Sequence, residues 1–311
     1  MTLISPVFIV GAQRCGTTYM CHVLKQHPQV WLAEPLRPEP KFFLQPHEVA
    51  KGLEHYLKKH FGHAAVTGDF SNLQNIETDP IEIGSAAPDA SSTARQNQVL
   101  LEKSTSYIES REAALRIKAM FPSARIIISL RDPVARAMSN YLFSVSSGME
   151  TRSPSEVFLD RLPEPHLSVV TSVSPFNYLA RGEYARYVRS YLDIFGKGAV
   201  RVILFDRFVE SVPAMQEVFK WLGIDAGFVA VDLQTKVNRN NVDLSAVDDR
   251  ILEYLQDYYR SHVQDLEQLL DVEIPEWTSA SVHRAPIVRA GIETTTAEVV
   301  SSKNSPRNHS G

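Results

Sequence analysis

The sequence predicts an α/β fold: a central parallel sheet with helices on both faces, built as a single domain. Two observations predict the sheet. Short apolar runs alternate with stretches of helical spacing along most of the chain, the pattern of successive βα units. Several of those runs are continuously hydrophobic rather than alternating, as strands covered on both sides are. A third observation limits the domain count: no linker-like segment divides the 311 residues, so one decorated domain is expected rather than two.

The elements follow in order. Val7-Phe8-Ile9-Val10 reads as a buried strand that ends at Gly11. Residues 17–26 place Met20, Val23 and Leu24 on one side of a helix, which His27-Pro28 closes because the residue before a proline avoids helical backbone. Residues 30–33 read as a second strand. A proline-rich turn over 34–40 leads through Lys41-Phe42-Phe43 to helical spacing over 47–61. In residues 64–97 the periodicity fails and Ser, Asp, Ala and Gly dominate, so a long irregular insertion is expected. Strands resume over 98–102 and 124–130, with a helix over 112–120 between them and another over 133–145. A longer helix over 178–195, a strand over 200–205, a helix over 212–222 and a last helix within 244–270 complete the pattern. Residues 278–311, rich in Ser, Thr, Asn and Arg, are expected to be a disordered tail.

Bulk properties exclude several classes of function. A net charge of −4 offers no basic excess for nucleic acid or a membrane surface. Cys15 and Cys21 are the two cysteines, too close for a disulfide framework and too few for a thiolate metal site, and the ten histidines show no metal spacing. The first six residues lack a basic segment followed by an apolar one, and the run at 7–10 is too short to anchor in a bilayer. The expectation is a reduced, soluble, cytoplasmic protein without metal, nucleic-acid or membrane partners.

Chemistry enters at Gly11-Ala-Gln-Arg-Cys-Gly16-Thr17-Thr18, between a strand and a helix. Two glycines at this spacing let backbone N–H groups wrap a phosphate while a helix N-terminus points at it. Gln13, Arg14, Cys15 and Gly16 supply the loop, and Thr17 and Thr18 add hydroxyls in the first helical turn. The lysine that follows the second glycine in nucleotide triphosphatases is absent, because Thr17 holds its place; the cation is Arg14. The loop therefore suits a single 5′-phosphate better than a magnesium-bound triphosphate. A helix N-terminus next to Cys15 would favour its thiolate.

A second anion site is written at Arg131-Asp132-Pro133-Val134-Ala135-Arg136-Ala137-Met138-Ser139-Asn140-Tyr141. Asp132 suits a helix N-cap and Pro133 the first helical position. Arg131 then stands at the carboxyl end of a strand, where open α/β sheets bind ligands. Ser139, two turns along the helix, would share a second phosphate with it.

Together, and in this order, the two segments resemble those of the sulfotransferases that use 3′-phosphoadenosine-5′-phosphosulfate (PAPS). Those enzymes carry a G-x-x-[KR]-x-G-T-T loop for the 5′-phosphosulfate and an R-[DN]-P-x-x-R-x-x-S-x-Y segment for the 3′-phosphate. His27-Pro28 before Val30, Glu39-Pro40-Lys41-Phe42-Phe43, Leu101-Glu102-Lys103-Ser104-Thr105-Ser106-Tyr107, Arg181-Gly182-Glu183-Tyr184 and Trp277 extend the likeness, closest to the heparan sulfate type, over a domain spanning 1–277. Lys41 stands where those enzymes have histidine, Thr105 where they have proline, and the insertion has no counterpart.

The resemblance implies a P-loop-like fold and sulfuryl transfer from PAPS to an acceptor hydroxyl, on a sugar or a natural-product alcohol or phenol, leaving 3′-phosphoadenosine-5′-phosphate. Gln13, Arg14, Cys15, Gly16, Thr17 and Thr18 would hold the 5′ end, Arg131 and Ser139 the 3′-phosphate. Lys236, Asn238 and Arg239 would close over that phosphate, although an ordinary basic loop reads the same way. Glu39 is the first choice of general base, Glu34 the second and His55 the third. Lys103, with Arg14, would act on the sulfonate or the leaving oxygen. Two rival readings stay open: a catalytically inactive nucleotide-binding protein of the same fold, and a P-loop kinase.

Overall fold

The structure, a computed structural model, describes residues 4–67, 98–166, 173–231 and 247–278. Among them, β1 (Ile4–Gly11), β2 (Val30–Leu32), β3 (Gln98–Lys103), β4 (Arg125–Leu130) and β5 (Val200–Leu204) form one parallel sheet in the order β2-β3-β1-β4-β5. The first strand of the chain thus lies in the middle, which is why its apolar run is unbroken.

Successive strand residues face opposite sides of a sheet, and here each side has its own core. Phe8 and Val10 join Leu100, Ile126 and Ile128 under α4 (Arg111–Met120), α5 (Pro133–Ser146), α7 (Tyr184–Phe195) and α10 (Asp249–Leu270). Val7 and Ile9 join Val99, Leu101 and Ile127 under α1 (Thr17–Leu24) and α9 (Val212–Leu222). The parallel sheet with helices on both faces is therefore as the sequence predicts. Each fully buried Phe, Leu or Ile contributes about 1.5–3 kcal/mol to holding these layers together.

Several bounds differ from the expectation, each for a local reason. The helix expected over 47–61 is two pieces, α2 (Pro46–Val49) and α3 (Gly52–Thr67), and α3 bends at Gly62. It reaches Thr67, inside the stretch expected to be irregular. The helix expected from 178 begins as a 3-10 turn at Ala180–Gly182, and α7 starts only at Tyr184. Gly182 interrupts the run where the Tyr259 ring closes over it, 2.5 Å from where a Cβ would stand. β5 stops at Leu204, and Phe205 opens a short helix, α8 (Phe205–Phe208). A further helix that the periodicity did not signal, α6 (Pro154–Phe158), is set by a reciprocal capping box between Ser153 and Glu156. Most of the expected insertion, the expected tail from residue 279, and Lys236, Asn238 and Arg239 lie outside the described residues. Among the described residues no helix is long and apolar enough to cross a membrane.

Candidate functional site

Three neighbouring strands, β3, β1 and β4, bring the candidate residues to one edge of the sheet. Ile9 pairs with Lys103 and Gly11 with Ile128, so Lys103, the loop after Gly11, and Arg131 all emerge at the carboxyl ends of the strands. That is the edge at which open α/β sheets bind ligands.

The loop after β1 is tied down from behind and open in front. Ala12 N–H donates to the Ser129 carbonyl at 2.8 Å, Cys15 N–H to the Ala12 carbonyl at 3.2 Å, and the Ser129 hydroxyl to the Cys15 carbonyl at 2.6 Å. Gly16 takes φ 72°, and a Cβ there would lie 2.1 Å from the Phe205 ring. Glycine is therefore required twice over, by backbone conformation and by packing. The N–H groups of Gln13, Arg14, Gly16, Thr17 and Thr18 donate to no protein acceptor among the described residues. Converging amides of this kind at the start of a helix form an anion cradle. The Gln13 side chain reaches sideways to Ser106 Oγ at 3.1 Å and so links the loop to the end of β3.

The second segment adopts the expected cap: Asp132 Oδ1 accepts from Val134 N–H at 3.0 Å, with Pro133 opening α5. Ser139 is buried on the inner side of that helix, and its hydroxyl accepts from Arg14 Nε at 3.1 Å. The Arg14 guanidinium also lies over the Phe143 ring, 4.8 Å from its centroid. The Tyr184 hydroxyl donates to the Arg131 carbonyl at 2.8 Å and lies 3.5 Å from Cys15 Sγ. Residues 125 positions apart in the chain thus meet, and the loop and the Arg131 segment lie on the same side of the sheet.

Electrostatics mark this corner as a place for an anion. Burial lowers the pKa of Arg14 and the positive charge of Arg131 lowers it further; Cys15 acts the other way, and Arg37 adds a smaller lowering. None of Arg14, Arg37 and Arg131 forms an ion pair with a carboxylate among the described residues. Asp206 feels the charge of Arg131, yet burial still raises its pKa. Cys15 departs from the sequence expectation: burial raises its pKa and outweighs its favourable partners, so the thiol stays protonated.

The other half of the site is built differently. Lys103 is 4% exposed, and its Nζ donates to Glu39 Oε1 at 2.6 Å. Thr105 N–H donates to Glu39 Oε2 at 2.9 Å, and Thr105 Oγ1 lies 2.9 Å from the same oxygen. Sequence reasoning counted Thr105 only as a departure from proline. The structure shows what the departure brings: proline has neither the N–H nor the hydroxyl that Thr105 offers the carboxylate.

The structure brings Glu39 to Lys103, and not Glu34. Glu34 is exposed, and its backbone is what is bound, donating to the His60 carbonyl and accepting from the His60 ring. His55 is committed elsewhere: its Nε2 lies 3.0 Å from Glu48, which Lys51 and Lys59 also hold. Thr105, Ser129 and Tyr184 are site residues that sequence reasoning did not assign. The run Ser104-Thr105-Ser106, directly after a strand at the ligand-binding edge, was the available signal for the first of them.

Comparisons with known proteins bear on the family and the fold. The family model described as Sulfotransferase family matches residues 6–226. Heparan sulfate glucosamine 3-O-sulfotransferase 5 of Mus musculus is 26% identical over 218 residues, 70% of this chain and 52% of that protein. Carbohydrate sulfotransferase 15 of Rattus norvegicus is 23% identical over 310 residues, 87% of this chain and 54% of that protein. The chain spans about half the length of these curated relatives. A solved sulfotransferase from Alicyclobacillus acidocaldarius superposes with a TM-score of 0.60 at 25% identity, over 88% of this chain and 99% of that one. The chain belongs to the sulfotransferase family.

Proposed function

We propose that this sulfotransferase-family chain transfers the sulfuryl group of PAPS to an acceptor hydroxyl by in-line displacement, with Glu39 as the general base. The observation that carries the reading is the juxtaposition at one sheet edge. A loop of free amides touches the Arg131 segment through Arg14 and Ser139, and buried Lys103, at the end of the adjacent strand, holds Glu39.

The residues divide the work. The amides of Gln13, Arg14, Gly16, Thr17 and Thr18, with the side chains of Thr17, Thr18 and Arg14, would bind the 5′-phosphate and stabilise the charge that grows on it as it departs. Arg131 and Ser139 would bind the 3′-phosphate, where a guanidinium fork suits a phosphate better than an ammonium does. The unpaired positive charge around Arg14 fits the nucleotide's phosphates as its missing counter-ion. Glu39 would take the proton of the attacking hydroxyl. Lys103, already against that carboxylate, would place its ammonium beside the transferring group. The acceptor oxygen forms its bond to sulfur as the bond from sulfur to the 5′-phosphate oxygen breaks. The transition state is loose, so positioning and charge carry the rate.

Two relatives are named for sulfating carbohydrate, which favours a sugar hydroxyl, with a natural-product alcohol or phenol next. The test is incubation with ³⁵S-labelled PAPS and a panel of sugars and phenols, followed by identification of the labelled product. Transfer with release of 3′-phosphoadenosine-5′-phosphate supports the reading, and EDTA should leave it intact. Tight binding of that nucleotide with no acceptor labelled would identify the chain as an inactive binder instead.

A further inference from the structure

Behind Glu39 lies a buried carboxylate that the mechanism does not use. Glu102, on β3, is 1% exposed. It accepts three hydroxyl bonds: Tyr56 to Oε2 at 2.6 Å, and Ser104 and Tyr107 to Oε1, each at 2.7 Å. Two of those hydroxyls have a second partner. Ser104 Oγ accepts from Lys41 N–H at 2.9 Å, and Tyr107 Oη accepts from Phe43 N–H at 3.1 Å. Lys41 and Phe43 belong to the turn that follows Glu39, with Phe42 wholly buried between them.

The polarity of this network follows from what each group can do. A hydroxyl has one proton, and an ionised carboxylate only accepts. Once Ser104 and Tyr107 spend their protons on Glu102, their lone pairs are left for the two amides. Burial raises the Glu102 pKa, and the three donated bonds offset that rise only in part. The strand end therefore holds the base twice. Lys103 and Thr105 grip the Glu39 carboxylate, while Glu102 and Ser104, with Tyr107, grip the backbone that carries it.

We infer that Glu102 is a positioning residue for this reaction: through Ser104 and Tyr107 it fixes the 41–43 turn and thereby the place of Glu39. The inference rests on the reading of Glu39 as the base. Oε1 is the operative oxygen, because both turn-holding hydroxyls donate to it, whereas the Tyr56 hydroxyl on Oε2 bonds to no part of the turn; the Tyr56 ring packs against Phe42 and Phe43, contacts that a phenylalanine would keep.

Two isosteric variants separate positioning from bulk stability. Tyr107→Phe and Tyr56→Phe each remove one hydroxyl from Glu102, but only the Tyr107 hydroxyl is also hydrogen-bonded to the turn. Tyr107→Phe should lower kcat about tenfold or more, with donor KM unchanged within about twofold, because a small misplacement of a reacting group costs rate rather than donor binding. Tyr56→Phe should change kcat less than about twofold. Glu102→Leu should behave like Tyr107→Phe, and Glu102→Gln should restore most of the rate, since its amide oxygen can serve both turn-holding hydroxyls while its NH₂ faces Tyr56. Amide hydrogen exchange supplies a readout that needs no turnover: the Phe43 amide should exchange faster in Tyr107→Phe and as in the parent in Tyr56→Phe. Equal kcat losses in the two Phe variants, or an unchanged Phe43 amide in Tyr107→Phe, would overturn the inference. A parent protein that labels no acceptor but shows the expected exchange pattern would instead overturn the proposed function and leave the network standing.

Discussion

The two halves of the cleft meet opposite electrostatic conditions. On the proposed donor side, Arg14 and Arg131 stand close together, neither forms an ion pair with a carboxylate among the described residues, and five loop amides beside them are free. On the acceptor side, Lys103 is closed on Glu39, and Thr105 fills more of the same carboxylate. The first half leaves Arg14 with no ion-paired carboxylate among the described residues; in the second the carboxylate is already held. Donor binding should therefore be an electrostatic event that stabilises the fold, whereas the base should stand in place whether or not the donor is bound.

Mutations sharpen the contrast, beginning with the largest effect. Glu39→Gln should lower kcat by about 10²–10⁴, the range for losing a general base, while the nucleotide still binds. Full activity in that variant would move the base elsewhere, with Glu34 next to be tested. Arg131→Ala should leave the acceptor half intact and raise the donor KM by roughly 30- to 150-fold, the loss of one charge-assisted contact of about 2–3 kcal/mol. An unchanged donor KM would remove Arg131 from its assigned role.

Smaller effects probe the acceptor side. Thr105→Val keeps the N–H that donates to Glu39 and removes the hydroxyl, so kcat should fall only about three- to tenfold, the weight of one hydrogen bond of about 1 kcal/mol. Thr105→Pro, which removes both donors, should cost more; equal rates in the two variants would show that the N–H adds nothing to the hydroxyl.

The smallest effect belongs to Glu48, a glutamate held by cations on the surface rather than by hydroxyls in the core. Lys51, then Lys59 and His55, hold its pKa well below the usual carboxylate range. A lowered folded-state pKa contributes stability that is present above the unfolded value, about 4.3, and fades as pH falls through the folded one. Glu48→Gln should therefore lower Tm slightly at pH 7, by an amount that shrinks in high salt and closes below pH about 4. A gap that widens in acid would reverse the assignment.

The parts of this account differ in how far the sequence carried them. The loop after β1 and the cap of α5 were legible because their signals are local: two glycines at a fixed spacing, and Asp-Pro after an apolar run. The meeting of Arg14 with Ser139 depends on β1 and β4 being neighbours, which neither the local pattern nor the family resemblance stated; the sequence put the two residues on separate phosphates. The Glu102 network was not legible. A serine, a tyrosine and a strand glutamate carry no mark in the chain, and their partnership arises from the 41–43 turn packing over the end of β3. The break between α2 and α3 and the start of α8 at Phe205 were missed for a similar reason. Phe205 continues an apolar run, and what separates it from β5 is its packing against Gly16 across the loop.

The central claim is that one nucleotide is held at both ends, by the 12–18 loop and by Arg131 with Ser139. Calorimetric titration of the parent protein and of Arg131→Ala with 3′-phosphoadenosine-5′-phosphate and with adenosine 5′-phosphate tests it most directly. The parent should bind the bisphosphate far more tightly than the monophosphate, and Arg131→Ala should erase most of that advantage while leaving the monophosphate affinity nearly unchanged. A parent that does not distinguish the two nucleotides, or a variant that weakens both equally, would contradict it.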